Sequence, residues 1–148
     1  MLKKVLIIAF VLILTGCFFK QEKFYLDNKY YNEGKFINVK ASEFKNEGNY
    51  VLYTYNSYCN FPIPCEDIFK EFMEKHNMSF LSMPFEEFRK TELYKKIKYA
   101  PSIIIVNEGK IVSYLDADSD DDANKYQDTS EFEKWISSYI YFEKKDTN

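Results

Sequence analysis

The run Tyr50-Val51-Leu52-Tyr53-Thr54-Tyr55 carries no charge and is mostly aromatic or β-branched. Such a segment suits a strand buried on both faces. A strand of that kind needs layers above and below it, so the chain is committed to a packed α/β domain. The next regular element supports this reading. From Cys65 to about His76, the residues Cys65, Ile68, Phe69 and Phe72 fall at helical spacing and share one apolar face. Pro64 stands at the entrance, where a missing N–H is harmless, and Glu66 and Asp67 suit the positive end of the helix dipole.

The rest of the chain alternates in the same way. Residues 35–39 read as a short strand, and Ala41 to Lys45 as a turn or two of helix ending near Gly48. Ser79 to Met83 is a strand stopped by Pro84. Phe85 to Ile97 is helical in character and broken near Thr91, which is placed to cap a second turn. Ser102 to Val106 is a buried strand, Asn107 to Lys110 a tight turn, and Ile111 to Leu115 the returning strand. Asp116 to Asp128 is an acidic loop. The last helix starts near Ser130, where Ser130 and Glu133 have capping-box spacing, and puts Phe132, Trp135, Ile136, Tyr139 and Ile140 on one face. The expected architecture is a central mixed sheet of about five strands with helices on both faces. The last two strands are antiparallel, because so short a connection permits nothing else.

The amino terminus is of a different kind. Lys3 and Lys4 precede the apolar run Val5 to Ile13, which is too short to span a bilayer and fits a signal-peptide core. Leu14-Thr15-Gly16-Cys17 follows and resembles a bacterial lipobox. That resemblance implies cleavage before Cys17, acylation of Cys17, and a protein anchored by lipid on the outer side of a bacterial cell membrane. The expected organisation is a lipoprotein signal peptide over 1–16 and a lipidated tether over 17–33. A folded domain follows over 34–142, with a tail over 143–148. Parts of the tether are expected to pack on the domain, because Phe24, Tyr25, Leu26, Tyr30 and Tyr31 are costly to leave wet.

Composition bounds the function. The 148 residues carry a net charge of −3, and loss of Lys3 and Lys4 with a leader would make the chain more acidic. Phosphate-backbone binding is therefore not expected. A single histidine and 4 glycines leave no means of building a Ser-His-Asp set or a Gly-rich phosphate loop, and no cofactor is expected. His76 lies about 16 Å along the helix from Cys65, too far for shared metal ligation, and reads as a surface histidine. The acidic run Asp116 to Asn124 alternates oxygen ligands like a calcium loop, yet its sixth position is Asp121 and its twelfth Gln127, and a strand precedes it. A solvated loop is expected there and no metal. No feature demands more than a monomer.

Tyr58-Cys59, Pro64-Cys65, and the stretch Lys98-Tyr99-Ala100-Pro101 with its following hairpin together resemble the thioredoxin family. The likeness covers about Phe36 to Tyr141 and includes the element order. It implies a thioredoxin-like fold, a cis Pro101 facing the cysteines, Cys59 and Cys65 as the redox pair, and Tyr58, Ala100 and Pro101 as the surface that meets substrate. It implies thiol–disulfide exchange on exported cysteine-containing proteins. Two departures stand out. Five residues separate Cys59 from Cys65 where the family has two, and Tyr53 stands where the family usually keeps a buried carboxylate. Outside the cell an even pair of thiols favours a disulfide. Two functions follow: an oxidoreductase in which Cys59 attacks and Cys65 resolves, or a non-catalytic accessory lipoprotein in which Cys59 and Cys65 form a structural staple.

Overall fold

The structure is a computed structural model that describes residues 22–57 and 61–145. The expected leader, lipobox and Cys17 lie outside the described residues, as do Tyr58 and Cys59.

Among the described residues five strands form one sheet: β1 (Phe36–Asn38), β2 (Tyr50–Tyr55), β3 (Phe80–Pro84), β4 (Ser102–Asn107) and β5 (Lys110–Tyr114). Their order across the sheet is β1-β3-β2-β4-β5. β3 runs parallel to both β1 and β2, whereas β4 is antiparallel to β2 and β5 to β4. Helix α1 (Cys65–His76) crosses from β2 to β3, α2 (Phe85–Phe88) follows β3, and α3 (Thr129–Ile136) ends the domain. This is the five-stranded mixed sheet with helices expected from the sequence. The Ala100–Pro101 bond that enters β4 is cis.

The charge-free run at β2 is the centre of the sheet. Residues Tyr50 to Thr54 are all buried. α1 and α3 seal one face through rings: Phe69 and Phe72 lie 4.9 and 5.1 Å from Phe132, and Phe72 lies 5.7 Å from Phe80 of β3. Edge-to-face and offset aromatic pairs of this kind add to the burial term. Cys65, Ile68, Phe69, Phe72 and Met73 are the buried residues of α1, as its periodicity requires.

Several expectations are corrected. Ala41 to Lys45 forms a turn, closed by Glu43 and Phe44 N–H groups donating to the Lys40 carbonyl, and not a helix. The segment is held instead by long-range bonds. Asn46 donates to the Gly109 carbonyl at 2.9 Å and accepts from the Tyr50 hydroxyl at 2.6 Å. Gly109 has φ +72°, and a Cβ there would stand 2.6 Å from the Asn46 carbonyl oxygen, so the hairpin turn needs glycine. The Phe85–Ile97 stretch does break near Thr91, into one turn of α2 and then a 3-10 turn over Glu92–Lys95. Thr91 does not cap the latter; its hydroxyl donates back to the Phe88 carbonyl at 2.8 Å. Asp128, and not Ser130, caps α3, accepting from the N–H groups of Ser130 and Glu131 at 2.8 and 3.0 Å. Glu133 turns away from the cap to Lys75 at 2.7 Å and to His76 Nε2 at 3.3 Å. His76 is not an open surface histidine. It is mostly buried, with Phe142 and Phe72 at 4.4 and 4.7 Å.

The lead-in is part of the fold. Phe24 bridges in parallel to Ile140, donating to the Tyr139 carbonyl and accepting from Tyr141 N–H. Leu26 and Tyr30 are buried, and Asp27 N–H donates to the Asn49 carbonyl. Among the described residues no helix is long and apolar enough to cross a membrane.

Candidate functional site

α1 begins at Cys65 because Pro64 takes the N-cap position with φ −55° and ψ 123° and cannot extend the helix backward. Periodicity then turns Cys65 inward, and the residue is 1% exposed. Glu66 in the same turn pairs with Lys70 at 2.7 Å, with both side chains about half exposed. The hydrogen bond to Glu66 raises the Lys70 pKa. The pairing takes part of the carboxylate's charge away from the start of the helix.

Pro101 is buried at the start of β4, at the same end of the sheet as the start of α1. Its neighbours are engaged through the backbone. Asn56 Nδ2 donates to the Ala100 carbonyl at 2.9 Å, and Ser102 Oγ to the Tyr99 carbonyl at 3.2 Å. Tyr99 is 47% exposed beside them. The position six before Cys59 holds Tyr53, whose ring lies 5.2 Å from Phe69 and 5.6 Å from Tyr55. An open cavity of about 420 Å³ lies beside α1, floored by Phe36, Tyr53 and Tyr55 and rimmed by Glu66 and Lys70.

Tyr126 joins these parts, and sequence reasoning missed it. It sits in a 3-10 turn over Ala123–Tyr126 within the acidic loop and is fully buried. Its hydroxyl lies 2.8 Å from the Leu115 carbonyl oxygen and 3.1 Å from that of Pro101, donating into the pair. Its ring stacks on Phe61 at 5.4 Å with 12° between planes and meets the edge of Phe69 at 5.8 Å. Burial pushes the phenol well above the ordinary tyrosine range, and the neighbouring Cys65, Asp122 and Asp116 act in the same direction. The hydroxyl therefore remains a donor at any physiological pH.

The following residue reaches the inter-cysteine segment directly. Gln127 Oε1 accepts from Ile63 N–H at 2.9 Å, and Nε2 donates to the Ile63 carbonyl at 2.8 Å. The acidic loop that carries these residues is folded on itself. Asp116 N–H donates to Asp122 Oδ2 at 3.0 Å, Asp118 N–H to Asp116 Oδ1 at 2.9 Å, and Lys125 Nζ to Asp122 Oδ1 at 2.8 Å. Two of the carboxylates read as calcium ligands are thus turned to the loop's own groups. Among the described residues no three His, Cys, Asp or Glu side chains are grouped to hold a metal ion.

The structure therefore brings Cys65, Pro101 and Phe61 to one buried tyrosine, with Ala100 alongside. Tyr58, Cys59 and the Cys59–Cys65 pairing fall outside the described residues. Tyr126 and Gln127 had no local signal: they lie in an aperiodic, Asp-rich stretch and find their partners far along the chain.

No family model and no curated protein matches the chain. Solved structures do. A thioredoxin from Schistosoma mansoni is 22% identical, over 74% of this chain and 99% of its own, with a TM-score of 0.48. A thioredoxin from Nicotiana alata is 16% identical over 73% and 95%, also with a TM-score of 0.48. Thioredoxin f from spinach chloroplast, in its long form, is 17% identical over 70% and 91%, with a TM-score of 0.44.

Proposed function

We propose that this protein is a thiol–disulfide oxidoreductase of exported proteins, held at the outer face of a bacterial cell membrane by lipid on Cys17. The observation that carries the reading is the convergence of Cys65, at the first position of α1, and cis Pro101 on the buried Tyr126. Thiol–disulfide exchange calls for one thiol at a helix start near a segment that a polypeptide can meet, and the position of Cys65 at the start of α1, at the same end of the sheet as the half-exposed Tyr99, supports that reading.

The exchange runs in two displacements. Cys59 thiolate attacks one sulfur of a partner disulfide, forms a mixed disulfide and releases the other partner sulfur as thiolate. Cys65, deprotonated in turn, attacks the Cys59 sulfur, frees the second partner thiolate and leaves a Cys59–Cys65 disulfide. The partner gains two electrons and takes up two protons, and this protein gives up both. Run backward, the same steps oxidise a dithiol partner, and the reduction potential sets the direction.

The test is the potential of the Cys59–Cys65 pair, measured on the full chain in detergent against glutathione and dithiothreitol series, with the alkylation rate of Cys59. A potential above about −270 mV with fast alkylation is expected for an exchangeable site. A potential below about −300 mV with slow alkylation would refute catalysis and favour the structural staple. Anchoring is checked separately, by incorporation of labelled palmitate that Cys17→Ser abolishes.

A further inference from the structure

Five residues between two cysteines form a loose spacer unless something holds them. Two of the five are held here by consecutive residues of a distant loop. Phe61 stacks on Tyr126, whose hydroxyl is fixed at the Leu115 and Pro101 carbonyls. Ile63 is bound through both its N–H and its carbonyl by the Gln127 side chain. The second hydrogen of Nε2 donates to the Tyr126 carbonyl at 2.8 Å, so the amide is fully used and flipping it would set donor against donor. Pro62 and Pro64 fix φ on either side of Ile63. Ile63 is itself 43% exposed, so apolar burial does not hold it in place.

We infer that Tyr126 and Gln127 form a clasp on residues 61–63 whose role is to set the reduction potential of the Cys59–Cys65 pair. This deepens the redox reading above and rests on it. A disulfide already closes the spacer into a ring, whereas the dithiol form leaves it open. The clasp therefore removes more conformational freedom from the dithiol than from the disulfide, and it favours the disulfide. Releasing it returns freedom mainly to the reduced form and raises the potential. Gln127 is thus a positioning residue, acting on the cysteines through Ile63.

The test compares wild type, Gln127→Ala and Gln127→Glu, each as the full chain in detergent. Two readouts are taken: hydrogen exchange at the Ile63 amide, and the potential of the pair across glutathione and dithiothreitol series. Gln127→Ala is expected to speed Ile63 exchange about tenfold or more. It is expected to shift the dithiol–disulfide equilibrium toward dithiol by about tenfold, the freedom of roughly one residue, or about +30 mV for this two-electron couple. Gln127→Glu keeps the acceptor for Ile63 N–H and loses both donors, so an intermediate shift is expected. Unchanged exchange in Gln127→Ala would show that no clasp exists in solution and would overturn the inference. Faster exchange with an unmoved potential would overturn it too, leaving the clasp structural. The absolute wild-type potential bears on the redox reading, and the shift between variants bears on the clasp, so the two fail separately. A pair that never closes, identified by thiol titration under oxidant, would refute both.

Discussion

Cys65 has two neighbours held in opposite ways. After it, α1 is fixed by area: Phe69 and Phe72 are wholly buried among Phe132, Phe80 and Tyr53. Before it, Pro62, Ile63 and Pro64 are exposed and are held by one ring stack and one amide. The first kind of holding determines whether the protein folds. The second determines where a few residues sit once it has folded. Substitutions before Cys65 are therefore expected to move residues 61–63 without putting the fold at risk.

The sharpest way to break this contrast is to attack the helix side. Phe69→Ala removes a ring that touches Tyr53, Tyr126 and Phe132, and is expected to destabilise the fold by about 3–5 kcal/mol in denaturant titration. If the denaturation midpoint stayed near wild type, the claim that α1 is held by area would be wrong. Tyr126 serves both sides, so removing its hydroxyl alone separates them. Tyr126→Phe keeps the stack on Phe61 and leaves the Leu115 and Pro101 carbonyls without their donor. A loss of about 1–2 kcal/mol is expected, with Ile63 exchange little altered. Equal stability would mean that the hydroxyl does not bridge those carbonyls.

The smallest effect concerns the surface ladder between α1 and α3. The Lys75 hydrogen bond holds the Glu133 carboxyl below its usual range; burial opposes this and His76 adds to it. The unfolded chain, with its carboxyl near about 4.3, then takes up the proton first as pH falls. The stabilisation is therefore complete above that value and is lost as pH falls through the lower folded pKa. Glu133→Gln should cost under about 1 kcal/mol at pH 7 and progressively less as pH falls below the carboxylate range. A difference that persisted at the acid end would assign the effect to packing instead of charge.

Much of the frame was legible because it rests on local pattern. β2 and α1 have the bounds that their apolar runs imply, and the resemblance around Ala100-Pro101 carried the cis bond. The legibility stops where a short polar side chain decides between local and distant partners. Ala41 to Lys45 read as a turn or two of helix ending near Gly48, yet the adjoining Asn46 is committed to Gly109 and Tyr50. Ser130 has the right spacing for a cap, yet Asp128 stands two residues earlier with a stronger acceptor. Tyr126 looked like one more residue of a wet acidic loop, because nothing in its sequence neighbours shows that it reaches Pro101.

The bridge between Phe24 and Ile140 gives the molecule two poles. The entering chain runs along the pole where β2 begins: Asp27 N–H is bound at Asn49, and Asn49 Nδ2 donates to the Tyr25 carbonyl at 2.9 Å. Cys65 and Pro101 lie beyond the other end of β2, about 17 Å away along the strand. A pull on the chain ahead of residue 24 would be resisted by the hydrogen bonds to Tyr139 and Tyr141, in shear, without reaching the cysteine pole. A load applied at the front end is therefore borne at one pole, by the bonds between residue 24 and residues 139 and 141, while Cys65 and Pro101 sit at the other.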